Sequence, residues 1–171
     1  MKARIAFVLG GLTPVAAALL VAWLGAWPVR ATSPPSGIES AIAGHALRTA
    51  LAREARNLVN PLAASDSTLL AGMKIYRDDC AGCHGDVRHP SHWGNSNFYP
   101  RVPQFADAPP ELTTPELFLA IQHGIRYSGM GAWDGELSTA DMWRVAMFLG
   151  QLRSLPPAVA EAWNKPPAPQ P

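Results

Sequence analysis

Only two of the 171 residues are cysteine, Cys80 and Cys83. Once they are assigned to another role, no disulfide framework remains to brace a small domain. Charge is also sparse, at 16% of the chain. All 13 acidic residues lie beyond Ala31, whereas Lys2, Arg4 and Arg30 precede them. Residues 32–171 therefore set 11 basic residues against 13 acids, a net charge of −2. With no basic stripe, nucleic acid is not an expected partner. No apolar–polar alternation runs beyond a few residues, which argues against a sheet. Ser, His and Asp are spread over loop and cap positions with no nucleophile–base pair, so the chain does not read as an enzyme in its own right.

The two cysteines stand in Cys80-Ala81-Gly82-Cys83-His84. CxxCH is the attachment signature of a c-type haem. Two intervening residues let one turn bring both sulfurs to the same macrocycle edge, each to form a thioether. His84 then falls under the ring as proximal iron ligand. A redox dithiol would want a βαβ context, which is missing. A zinc site would need His89 and His92, which follow Cys83 too closely for finger spacing. The reading is one covalent haem c. A second CxxCH is lacking, which argues against a di-haem peroxidase.

Ile5 to Trp27 is 23 residues without a charge, Thr13 being its one clearly polar side chain. That length can span a bilayer. Lys2 and Arg4 keep the N-terminus cytoplasmic, and Trp23 and Trp27 suit the outer interface. The expectation is an uncleaved anchor in the cytoplasmic membrane, with the haem domain on the periplasmic or other extracytoplasmic side. Cleavage after Val29-Arg30-Ala31, giving a soluble periplasmic protein, is the alternative. Arg30 and the long apolar run oppose it.

Four segments follow: an anchor or signal over 1–31, a linker and spacer helix over 32–64, a haem domain over 65–154, and a proline-rich tail over 155–171 expected to be disordered. Ser36-Gly37-Ile38-Glu39 reads as a capping box opening a helix to about Asn60, where Pro61 stops it. Such a helix either docks on the domain or holds it off the membrane. Asp66 or Ser67 can cap a helix to Asp79 bearing Leu69, Leu70, Met73 and Tyr76, with Gly72 allowing close approach. A Gly/Pro/Asn-rich loop reaches Pro110. Thr114-Pro115-Glu116 opens a short helix that Gly124 ends. Ser138-Thr139-Ala140-Asp141 opens the last one, with Met142, Trp143, Val145, Met147, Phe148, Leu149 and Leu152 as its apolar surface. The fold class is all-α.

Over roughly Ser67 to Leu152 the sequence resembles a class I mono-haem cytochrome c domain. Gly72, Tyr76, Cys80, Cys83, His84 and Gly85 match the family's first helix and attachment site, and Trp143, Phe148 and Leu152 its terminal helix. The segment Gly124 to Trp133 looks like the loop of the second axial ligand, which implicates Met130. Phe98 to Pro103 resembles the loop whose proline carbonyl fixes the ligand imidazole, with Pro103 first choice and Pro100 second. From family position, Arg101 and Trp133 are candidate donors to a haem propionate. Many relatives place proline after the ligand methionine; Gly131 stands there in this chain. Met73, Met142 and Met147 fit core faces. His45, His89, His92 and His123 fit solvated or helix-end positions.

The resemblance implies one-electron transfer by a membrane-tethered carrier between redox proteins such as a dehydrogenase, an oxidase or another cytochrome of a respiratory chain. Alternatives are a fixed haem subunit of a larger oxidoreductase, or a haem-based sensor if the methionine bond is labile.

Overall fold

The computed structural model describes residues 13–26 and 28–165 in full and residues 2–12 as helical backbone. The chain divides into two compact units, Met1–Ser33 and Pro34–Pro171. The first is a single helix, α1 (Lys2–Trp23), which contains Pro14. Its described apolar side chains are exposed, Leu19 and Trp23 among them. Trp27 and the side chains of residues 2–12, all part of the expected anchor, lie outside the described residues. Among the described residues no helix is long and apolar enough to cross a membrane.

The second unit is all-helical among the described residues: α2 (Gly37–Ala55), α3 (Asp66–Ile75), a π-helical turn (Tyr76–Cys80), α4 (Ala81–His84), α5 (His92–Asn97), α6 (Thr114–His123), α7 (Thr139–Gly150) and α8 (Pro157–Asn164). The core is a helix crossing of α3 on α7, with α6 packed beside α7. Gly72 makes the crossing possible: a Cβ there would sit 2.1 Å from the Arg144 carbonyl oxygen. Leu69, Tyr76, Met142, Val145 and Phe148 fill the seam and are buried, as are Met73 and Met147. Each such side chain contributes about 1.5–3 kcal/mol by leaving water. Trp143 stacks on Phe118 at 4.1 Å between centroids.

Local signals set most helix starts. The hydroxyl oxygens of Ser36 and Ser138 accept from the N–H groups of Glu39 and Asp141. Two caps shift from their expected places. Ser65, not Asp66 or Ser67, caps α3 by accepting from Thr68 N. Thr113, one residue before the expected cap, caps α6, and Glu116 accepts from its N–H and hydroxyl.

Three expectations need correction. The first haem-domain helix is not α-helical to Asp79; it widens at Tyr76, where Ala81 N–H bonds back to the Tyr76 carbonyl. That extra residue in one turn re-aims Cys80 relative to α3. The 36–60 helix ends at Ala55 and is no free spacer: Leu51 is buried and α2 packs on α6. The disordered tail fails over Pro157–Asn164, which is helix α8. Pro157 sits at the first turn, where a missing N–H costs nothing, and Val159 and Trp163 are buried in the core. Residues 166–171 lie outside the described residues.

Candidate haem-binding site

Cys80 and Cys83 form no disulfide with each other; both are half-buried and one helical turn apart, Cys80 at the N-cap of α4 and Cys83 within it. Burial, then the Asp79 carboxylate and Cys83, push the Cys80 thiol up to about 12. His84 closes α4 and is buried. Its Nδ1–H donates to the Pro103 carbonyl at 3.0 Å. Burial lowers its pKa, and the Pro103 bond only partly opposes this. The ring is therefore neutral at neutral pH, with Nε2 as the lone-pair nitrogen. That is the state a metal-ligating histidine needs. Pro103, rather than Pro100, is thus the proline whose carbonyl orients the imidazole.

Several side chains that build this turn carry no local sequence signal. Phe105 stacks on the His84 imidazole, centroids 4.4 Å apart and planes within 8°, while its N–H donates to the His84 carbonyl. Gln104 Nε2 donates to the Cys83 carbonyl at 3.0 Å, and its Oε1 accepts from Ser91 N. Ser91 donates to the Gly82 carbonyl and caps α5. Gly94 in α5 lies against the motif so closely that a Cβ would stand 1.9 Å from the Cys83 carbonyl oxygen.

Beneath the turn lies a buried ion pair. Arg77 Nε and Asp86 Oδ2 are 2.9 Å apart, though neither atom is aligned for a hydrogen bond. Asp86 also accepts from Val87 N at 2.7 Å. Arg77 extends to the end of α8, donating to the carbonyls of Trp163 at 2.7 Å and Lys165 at 2.9 Å. Its guanidinium lies 5.0 Å over the Trp163 ring, and that ring meets Tyr76 and Phe148 edge-on. Tyr76 is fully buried, and its hydroxyl donates to the Gly85 carbonyl at 2.6 Å. Its place at the site is support of the histidine turn.

The loop over residues 124–133 carries Met130 and is built more lightly. Met130 is half-buried against the core. Its N–H donates to Ser128 Oγ at 3.1 Å, and its carbonyl accepts from Ile125 N at 2.9 Å. Gly124 opens the loop at φ +66, where a Cβ would crowd the Met130 carbonyl. Trp133 packs partly buried on the core, its N–H donating to the Ile121 carbonyl. Arg101 Nη1 donates to the carbonyls of Ser96 at 2.8 Å and Phe98 at 2.9 Å, so this guanidinium braces its own loop. His89 is turned to the Val87 carbonyl and is exposed, as are His92 and His123. His45 lies on α2 beside Thr49.

Two thiols one turn apart, a neutral imidazole oriented by a carbonyl, and a thioether in the 124–133 loop are the donor types a haem c site would use. These residues fit that group. Fold and site are consistent with a class I c-type cytochrome domain, and the family comparison supports one over residues 67–149. Residues 67–149 match the family described as cytochrome c oxidase, cbb3-type, subunit III. No curated protein and no solved structure matches the chain. A domain of this class carries electrons through its haem and is not by itself a catalytic enzyme.

Proposed function

We propose that the protein is a one-electron carrier tethered to the cytoplasmic membrane through residues 5–27, serving redox proteins on the extracytoplasmic side. One haem c is held by thioethers from Cys80 and Cys83, with His84 and Met130 as axial ligands. The carrying observation is the His84 Nδ1–Pro103 carbonyl bond directly after the CxxC turn, which fixes the imidazole tautomer. When bound, the haem supplies a ferric/ferrous couple, and a thioether ligand with apolar burial favours the ferrous form. The chain's part is to hold both axial donors in place in both states, so that little moves on electron transfer.

Acid–acetone extraction tests attachment: haem stays with the protein, and haem released to the organic phase with both thiols free overturns the reading. N-terminal sequencing of the native protein tests the tether. A start near Met1 with retention in salt-washed membranes supports it, whereas a start at Thr32 in the soluble fraction replaces it with a cleaved signal.

The matched family's description as an oxidase subunit favours a second reading, a fixed haem subunit of a larger complex. Detergent extraction separates the two. A carrier leaves its partners on a sizing column, and a fixed subunit elutes with the catalytic chain.

A further inference from the structure

The loop bearing Met130 has Gly131 where a proline would have stiffened it, and Gly131 has no atom within 4 Å of where a side chain would begin. Restraint of this loop must come from elsewhere. The neighbouring Gly129 is exposed but abuts one ring: a Cβ there would lie 2.3 Å from Phe98 Cδ1 and 2.6 Å from Cε1. The Phe98 ring thus occupies the space a side chain at 129 would need, directly on the backbone preceding Met130. Phe98 belongs to the other loop, the one whose Pro103 orients His84.

Phe98 is itself held from two sides. Its ring meets Trp93 edge-on, centroids 5.5 Å apart and planes at 86°. Its carbonyl accepts from Arg101 Nη1, which also bonds the Ser96 carbonyl. Arg101 thereby holds the backbone from which the ring projects. Trp93 follows the start of α5, the helix that packs through Gly94 on the Cys83 carbonyl. The Met130 loop is therefore tied through one aromatic contact to the rigid His84 side.

We propose that Phe98 is a positioning residue that latches the Met130 loop shut and sets how often the sulfur leaves the iron. The proposal rests on Met130 being the sixth ligand. Removal of the ring frees the Gly129 backbone, and the open form gains population. A methyl group at 129 should do the same from the other side, by pushing the loop off the ring.

The test uses the full-length holoprotein in detergent, with two readouts. One is the near-infrared sulfur-to-iron band of the ferric form. The other is the rate at which carbon monoxide binds the ferrous form. Phe98→Ala should speed carbon monoxide binding about tenfold, with the band weakened and the helical signal kept. Phe98→Tyr, which keeps the ring, should stay within about twofold of the wild type. Gly129→Ala should also speed binding, but should add less than about twofold on a Phe98→Ala background, because the clashing ring is gone. Independent, multiplicative effects of the two substitutions would overturn the latch. So would a Phe98→Ala protein whose band and binding rate match the wild type. Met130→Ala separates the two ideas: an unchanged ferric band in that variant removes the ligand assignment and the latch with it. A lost band alongside an unaffected Phe98→Ala protein rejects the latch alone.

Discussion

The two halves of the site are built to different standards. On the His84 side, the Cys83 carbonyl is bonded by Gln104 and pressed by Gly94, the Gly82 carbonyl by Ser91, and the imidazole by Pro103 and Phe105. A buried ion pair and helix α8 back the whole turn. On the Met130 side, two backbone bonds and the Ser128 hydroxyl, which accepts from Met130 N and donates to the Ile125 carbonyl, close the loop. Tyr127 stands there 89% exposed at φ +61. An attachment turn that must meet a macrocycle at three points needs a fixed geometry. On the proposed function, the Met130 thioether needs only to be kept within reach, for which a lighter loop with the proposed Phe98 latch suffices.

That contrast can be broken most forcefully at its base. Asp86→Ala leaves the Arg77 guanidinium buried without its counter-charge and should cost about 3–5 kcal/mol in denaturant unfolding of the holoprotein. Tyr127→Ala on the lighter side should stay within about 0.5 kcal/mol. Equal losses at the two positions would erase the distinction.

The same substitution can next be made on both sides. Gly94→Ala drives a methyl into the Cys83 backbone oxygen, which no rotamer can relieve. It should cost about 2–3 kcal/mol and reduce the yield of haem-loaded protein. Gly131→Ala meets open space and should change stability by no more than about 0.5 kcal/mol. Haem content per protein and unfolding midpoints report both.

Met130→Ala sharpens the comparison by separating ligation from folding. The near-infrared band should vanish, the potential should fall and carbon monoxide should bind, while stability drops by only about 1–2 kcal/mol because the side chain is half-buried. His89→Ala and His92→Ala should leave the spectrum and the potential unchanged.

The smallest effect lies away from both loops, at the start of α7. Ser138→Ala removes the cap and should cost about 1 kcal/mol at neutral pH. The Ser138 hydroxyl, and then Arg144, hold the Asp141 carboxyl below its usual 3.8. A depressed carboxylate contributes stability above its unfolded value and loses it as pH falls through the folded one. The gap between variant and wild type should therefore narrow below about pH 4 in acid titrations followed by circular dichroism.

Much of this was legible from local residue order, and the reason is physical. CxxCH places two sulfurs and an imidazole within one turn of chain. Ser36 and Ser138 cap helices through bonds three residues long. Gly72 declared a close helix crossing because glycine inside an apolar stripe has few other uses. Even Pro103 could be singled out, through family resemblance, before its carbonyl was seen on His84.

Helix α8 shows where that legibility ends. Prolines at 156 and 157 read as a disordered tail, yet the segment is ordered by contacts it makes far back in the chain. Arg77 reaches the Trp163 carbonyl across 86 residues. The Phe105 stack on His84, the Arg77–Asp86 pair beneath the turn and the Phe98 ring on Gly129 are of the same kind. The sequence alone pointed to the cofactor chemistry and determined the helical class and most helix starts, because each is written in bonds between near neighbours. The tertiary structure alone decided what braces the histidine, what α8 covers and what holds the methionine loop. Those contacts join residues with no shared period, and only the packed chain brings them together.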